Sequence, residues 1–245
     1  MSPFDPATLT STPYGAPLVP PLPLRLRQTE ILTVVHRTDR EAADGLIPAP
    51  LELASDLCVV HVYRMHDAEW FGRYCESAWQ LPVRLPDGTG AVYSPFLVLA
   101  SDGAVAAGRE AYGQPKKAGR VTLRPHGDLL VGRVRRNSIV VATATMAWKQ
   151  APAAEDALDE VVDGAGRNVN LRVRQEEHGV VSRELVLREL GDIEVREAWT
   201  GPATLELRPN AQLPAHLLPV RDVVLGLHRV VDMTLEPARI VHRYG

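Results

Sequence analysis

Leu57-Cys58-Val59-Val60-His61-Val62-Tyr63-Arg64-Met65 is dominated by β-branched and aromatic residues, follows Asp56, and has the composition of a strand. The same kind of run recurs on both sides of it. Upstream lies Ile31–His36; downstream lie Val92–Ala100, Leu129–Val134, Ile139–Trp148, Val169–Val173, Val180–Leu190, Ile193–Trp199, Thr204–Arg208 and Ala238–Tyr244. About ten strands at this spacing predict a mainly β (α+β) chain whose antiparallel sheet is closed or strongly curved to protect its edges. Helical signals are few. Thr38 with Glu41 forms a capping-box pattern, a second short helix is expected around Val220–Leu227, and Ala154–Val162 reads as a helix or a surface excursion ending at Asp163-Gly164. Asp87-Gly88-Thr89-Gly90 reads as a hairpin turn. Seven prolines within residues 1–23 favour an extended arm, so residues 1–28 are assigned to a Pro-rich N-terminal arm and residues 29–245 to one domain.

Composition excludes several classes of function. With 245 residues, 45% hydrophobic content and a net charge of -3, the chain supports a single substantial core and lacks the clustered positive charge of a nucleic-acid binder. No apolar stretch approaches the roughly 18 residues of a membrane span, and no secretory signal is recognisable, so a cytoplasmic location is expected. Cys58 and Cys75 are expected to be reduced thiols. The eight histidines show no zinc-ligand spacing.

The basic residues divide unevenly into 24 arginines and three lysines, Lys116, Lys117 and Lys149, two of which are adjacent. They close the segment Gly108-Arg109-Glu110-Ala111-Tyr112-Gly113-Gln114-Pro115-Lys116-Lys117. Two ammonium groups held near one poorly solvated cavity lower each other's pKa, and a neutral amine attacks a ketone to form an imine, which arginine does not. A solvated pair at a turn after Pro115 is the alternative from spacing alone.

This segment resembles the active-site stretch of the acetoacetate decarboxylase family, in which a Gly-Arg-Glu triplet precedes a proline and two lysines. His36-Arg37-Thr38-Asp39, Met65-His66-Asp67, Glu76-Ser77, Ala142-Thr143-Ala144-Thr145-Met146, Glu197-Ala198-Trp199-Thr200-Gly201-Pro202 and Leu218-Pro219-Val220 resemble family segments in the same order. The resemblance implies an antiparallel barrel or cone around an apolar cavity, assembled into homo-oligomers and needing no cofactor. It also implies Lys116 as the Schiff-base residue, Lys117 as the neighbour that helps depress its pKa, and Glu76 as the group that orients or protonates the intermediate.

Two positions depart from the family pattern. The arginine expected before the first strand to attract a substrate carboxylate falls at Thr29, with Arg27 as a candidate substitute about 7 Å away on the same face of an extended strand. His61 stands where the family has a glutamate; with Tyr63 it shares one strand face, and a role there would place a group titrating near neutral pH in the cavity. Tyr112 and Gln114 alternate with Lys116 and are candidates to hydrogen-bond the substrate, or else turn-packing residues. The resemblance also brings Tyr244, near the chain end, toward the cavity as a proton relay. The expected substrate is a small keto acid or ketone, and the leading reaction is decarboxylation of a β-keto acid. Aldolase, dehydratase or cyclase chemistry on a pyruvate-like or larger oxo substrate is the alternative, and a non-catalytic oxo-acid binder a third.

Overall fold

A computed structural model of the chain describes residues 6–13 and 15–245; residues 1–5 and 14 of the arm lie outside the described residues. The strands are β1 (Leu24–Arg37), β2 (Glu52–Leu53), β3 (Leu57–Ala68), β4 (Gly72–Arg84), β5 (Gly90–Leu99), β6 (Lys116–Ala118), β7 (Arg120–His126) and β8 (Leu129–Arg136). They continue with β9 (Ile139–Ala147), β10 (Ala151–Pro152), β11 (Arg167–Glu176), β12 (Gly179–Thr200), β13 (Ala203–Leu207), β14 (Asp222–Leu235) and β15 (Arg239–Arg243). Among the described residues two short α-helices accompany them, α1 (Arg40–Asp44) and α2 (Asp102–Glu110).

The larger sheet runs β4-β3-β1-β14-β12-β11-β5, and β5 pairs again with β4, so the hydrogen-bonded path returns to its start. Closure leaves this ring without a free edge. Most pairings are antiparallel, as the sequence predicts, but β5 runs parallel to both β11 and β6.

A second sheet, β13-β9-β8-β7, packs on the outside of the ring. Leu32 and Val34 of β1, Val60 and Val62 of β3, and Trp79 and Leu81 of β4 meet Leu123, Leu130, Val134 and Met146 there. These ring strands therefore have one face toward the interior and the other under the second sheet. Both faces are buried, which is why residues 57–62 read as a nearly continuous apolar run. Residues 154–165 form turns, without an α-helix, and carry Leu158 and Val162 against Val35, Val59, Val92 and Leu227 at one end of the ring.

Three local expectations change. Residues 220–227 are not helical: from Asp222 they belong to β14, whose Val223 and Leu225 pair with β1 in the ring. Helix α1 starts one residue later than predicted, because Asp39 accepts from the amides of Glu41 and Ala42. Strand β1 begins at Leu24, inside the segment assigned to the arm, and Leu24 and Leu26 are buried.

Candidate active site

The ring interior holds a cavity of about 120 Å³. Period-two alternation builds most of its wall: Tyr74, Glu76, Ala78 and Gln80 come from β4, His61, Tyr63 and Met65 from β3, and Arg188 and Leu190 from β12.

Lys116 enters this wall from β6, which pairs in parallel with β5 so that Lys116 stands beside the cavity-lining Leu97. It is 8% exposed, and its Nζ lies 3.1 Å from Oε2 of Glu76, itself 6% exposed. The Gly-Arg-Glu segment sits at the end of α2 and explains how the lysine is held. A Cβ at Gly108 would stand 2.4 Å from Lys116 Cδ, so the helix surface is cut back to glycine where the lysine side chain crosses it. Arg109 Nη1 donates to the Lys116 carbonyl at 3.3 Å. Gly113 turns the chain from α2 toward β6 with φ +63, and a Cβ there would meet the backbone of Arg172 at 2.7 Å.

Lys117 does not share the cavity. On β6 it points to the opposite face, is exposed, and donates from Nζ to the Gln212 carbonyl at 2.7 Å. Strand alternation separates the two ammonium groups that adjacency in sequence would bring together. Lys117→Gln is therefore expected to leave both turnover and its pH profile within about twofold of the unsubstituted protein, measured as initial rates between pH 5 and 9; a displaced profile would restore the adjacent-charge account.

Arg27 also lies outside. The extra residue of a β-bulge at Gln28, with φ +50, breaks the alternation on which Arg27 and Thr29 would share a face. Arg27 is exposed and pairs with Asp67 at 3.1 Å, whereas Thr29 is fully buried, is absent from the cavity wall, and has a hydroxyl without a partner among the described residues. Tyr244 is half-buried on the outside of the ring, where its hydroxyl donates to the Ala49 carbonyl and its ring meets His242 edge-on.

His61 lies in the cavity wall with a different role from a neutral-pH proton carrier. Its Nδ1 is 2.9 Å from the Thr33 hydroxyl and its Nε2 3.1 Å from Gln80 Oε1, an arrangement satisfied by the Nε2–H tautomer. Burial, reinforced by the Arg229 guanidinium, pushes its pKa down to about 3, so the ring is a neutral fixture at physiological pH. Tyr63 and Tyr112 line the same cavity. Burial, aided by the Glu76 charge, raises the Tyr63 phenol, and burial raises the Tyr112 phenol to about 12, so both stay protonated donors. The Tyr112 hydroxyl has no partner among the described residues. Gln114 lines the cavity too; its amide donates to Asn168 at 3.2 Å, and Asn168 is fixed by the Val92 carbonyl and the Ser94 hydroxyl, each at 3.0 Å.

Among the cavity residues that sequence reasoning missed are two guanidinium groups, Arg188 on β12 and Arg229 on β14. Their signal was a guanidinium interrupting an apolar strand, in Leu185-Val186-Leu187-Arg188 and in Leu227-His228-Arg229-Val230-Val231. Among the described residues no group of three His, Cys, Asp or Glu side chains is placed to hold a metal ion, and no helix is long and apolar enough to cross a membrane.

Known proteins are similar to this chain in sequence and in fold over nearly their whole length. The sequence profile of the family described as Acetoacetate decarboxylase (ADC) matches residues 8–245. An acetoacetate decarboxylase of Acidiphilium cryptum strain JF-5 is 38% identical over 246 residues, covering 98% of this chain and 99% of its own. A solved acetoacetate decarboxylase structure superposes with a TM-score of 0.91 at 32% identity, covering 97% of each chain. The crystal structure of the acetoacetate decarboxylase from Legionella pneumophila gives a TM-score of 0.90 at 29% identity, covering 97% of this chain and 94% of that one.

Proposed function

Because the chain belongs to the acetoacetate decarboxylase family, whose members are lyases, we propose that it decarboxylates a β-keto acid such as acetoacetate through an imine on Lys116, without a cofactor. The observation that carries this reading is the buried Lys116 amine 3.1 Å from the Glu76 carboxylate inside the cavity of the ring. Across that hydrogen bond Glu76 takes a proton from the ammonium, and the freed amine attacks the ketone carbon. A proton passes from the adduct nitrogen to its oxygen to give the carbinolamine, Glu76 returns its own proton to that hydroxyl, and water leaves as the nitrogen lone pair forms the iminium. Tyr112, a protonated and unpartnered phenol in the same wall, is suited to donate to the carbinolamine oxygen.

The bond to the carboxylate then breaks, its electron pair passes into the iminium to give an enamine, and carbon dioxide departs. A proton taken up from solvent through Glu76 reaches the enamine carbon, and water hydrolyses the new iminium to release the ketone and Lys116. For acetoacetate the sum is acetoacetate plus one proton giving acetone and carbon dioxide. The neutral His61 holds one side of the cavity without adding charge. Carbon dioxide and acetone released from acetoacetate above the spontaneous rate support the reading; a pyruvate adduct with no gas evolved from acetoacetate would favour the aldolase or dehydratase alternative.

A further inference from the structure

Arg188 is 9% exposed, lines the cavity with Lys116 and Tyr112, and has Nε and Nη1 without hydrogen-bond partners among the described residues. Its place in the wall is fixed by pairing with Asn168, the residue that anchors Gln114. Arg229 reaches the same cavity from β14; its Nε is unpartnered, its Nη1 meets only the Glu155 carbonyl at 3.5 Å, and Asp159 acts on it from a distance. Neither guanidinium forms an ion pair among the described residues; the cavity's carboxylate, Glu76, acts on Arg188 only from a distance and is engaged by Lys116. A buried charge without a counterion is costly, and the guanidinium fork matches a carboxylate with two parallel N–H donors.

The carboxylate that such a fork holds is constrained by the chemistry. Loss of carbon dioxide converts an anion into a neutral molecule, so a guanidinium bound to the departing carboxylate stabilises the ground state more than the transition state and opposes the reaction. A guanidinium bound to a second carboxylate, one that survives, anchors the substrate at no such cost. We propose that Arg188, supported by the positive field of Arg229, binds a carboxylate the substrate retains, and that the substrate class is a 3-oxo dicarboxylic acid. This rests on the imine reading above and sharpens its substrate. With 3-oxoadipate, Lys116 condenses with the C3 ketone and expels water, the C2-to-carboxylate bond breaks into the iminium, and protonation and hydrolysis yield 4-oxopentanoate and carbon dioxide. The carboxylate on Arg188 is unchanged throughout.

The test compares 3-oxoadipate with 3-oxohexanoate, which has the same carbon chain and a methyl group in place of the second carboxylate. The expected result is a kcat/KM at least about tenfold higher for 3-oxoadipate, with Arg188→Gln removing that preference mainly through KM. A parallel measurement on the unsubstituted protein needs neither the variant nor turnover: adipate raises its melting temperature more than hexanoate does. Equal or reversed preference between the keto acids together with equal stabilisation by adipate and hexanoate overturns the proposal. So does an Arg188→Gln protein that folds and loses both substrates equally. If the imine reading itself is wrong, borohydride leaves no adduct on Lys116 with either keto acid, while the adipate and hexanoate comparison still decides what Arg188 binds.

Discussion

Lys116→Arg is expected to lower kcat/KM for acetoacetate by about 10⁴-fold or more, because it removes the nucleophile and keeps almost everything else. Arginine retains the positive charge that Glu76 faces at 3.1 Å, so the buried ion pair is preserved in kind. What it cannot supply is a neutral amine, since a guanidinium stays protonated at every pH the fold tolerates. The variant separates the two roles of Lys116, electrostatic partner and nucleophile. Initial rates of carbon dioxide release, with a thermal melt as the folding control, are the measurements. Residual activity within tenfold of the unsubstituted protein would mean that the cavity works by positioning alone.

Glu76→Gln is expected to cost about 10²–10⁴-fold in kcat, the range of general acid-base catalysis. Glutamine occupies the same volume and still accepts one hydrogen bond from Lys116, but it neither takes nor returns a proton. Each step assigned to Glu76 is a proton transfer: activation of the amine, departure of water, and protonation of the enamine. The loss should therefore appear in kcat more than in KM. Steady-state kinetics on acetoacetate would show it, and a rise in KM at unchanged kcat would reassign Glu76 to substrate docking.

The physical reason that some of this was legible in the sequence and some was not is the difference between local pattern and long-range pairing. β-branched runs such as 57–65 declare strands because their composition is local. The segment 220–227 carries a similar run whose local pattern predicts a helix, because what makes it a strand is pairing with β1 and β12. Helix α2 has only a weak sequence signal although Ser101 caps it, since its two glycines dilute the helical pattern, and Gly108 makes room for Lys116.

The site divides along the same line. Lys116, Glu76, His61, Tyr63, Tyr112 and Gln114 do meet in one cavity, although the residues from 111 to 115 follow a turn with a left-handed glycine and not an extended strand. Lys117, Arg27, Thr29 and Tyr244 fall outside it. Strand alternation alone would have placed Lys117 opposite Lys116, but the bulge at Gln28 that strands Arg27 on the surface has no sequence signature that reading could use. Arg188 interrupts an apolar strand in the sequence, but only the fold puts its unpartnered guanidinium on the cavity wall.

The central claim is that Lys116 forms a covalent imine with a keto acid. Incubation of the protein with acetoacetate and borohydride, followed by proteolysis and mass spectrometry, tests it most directly. The account predicts a reduced adduct on the peptide carrying Lys116, located at that residue and absent from Lys116→Arg. No adduct, or one located at Lys117 or Lys149, would contradict it.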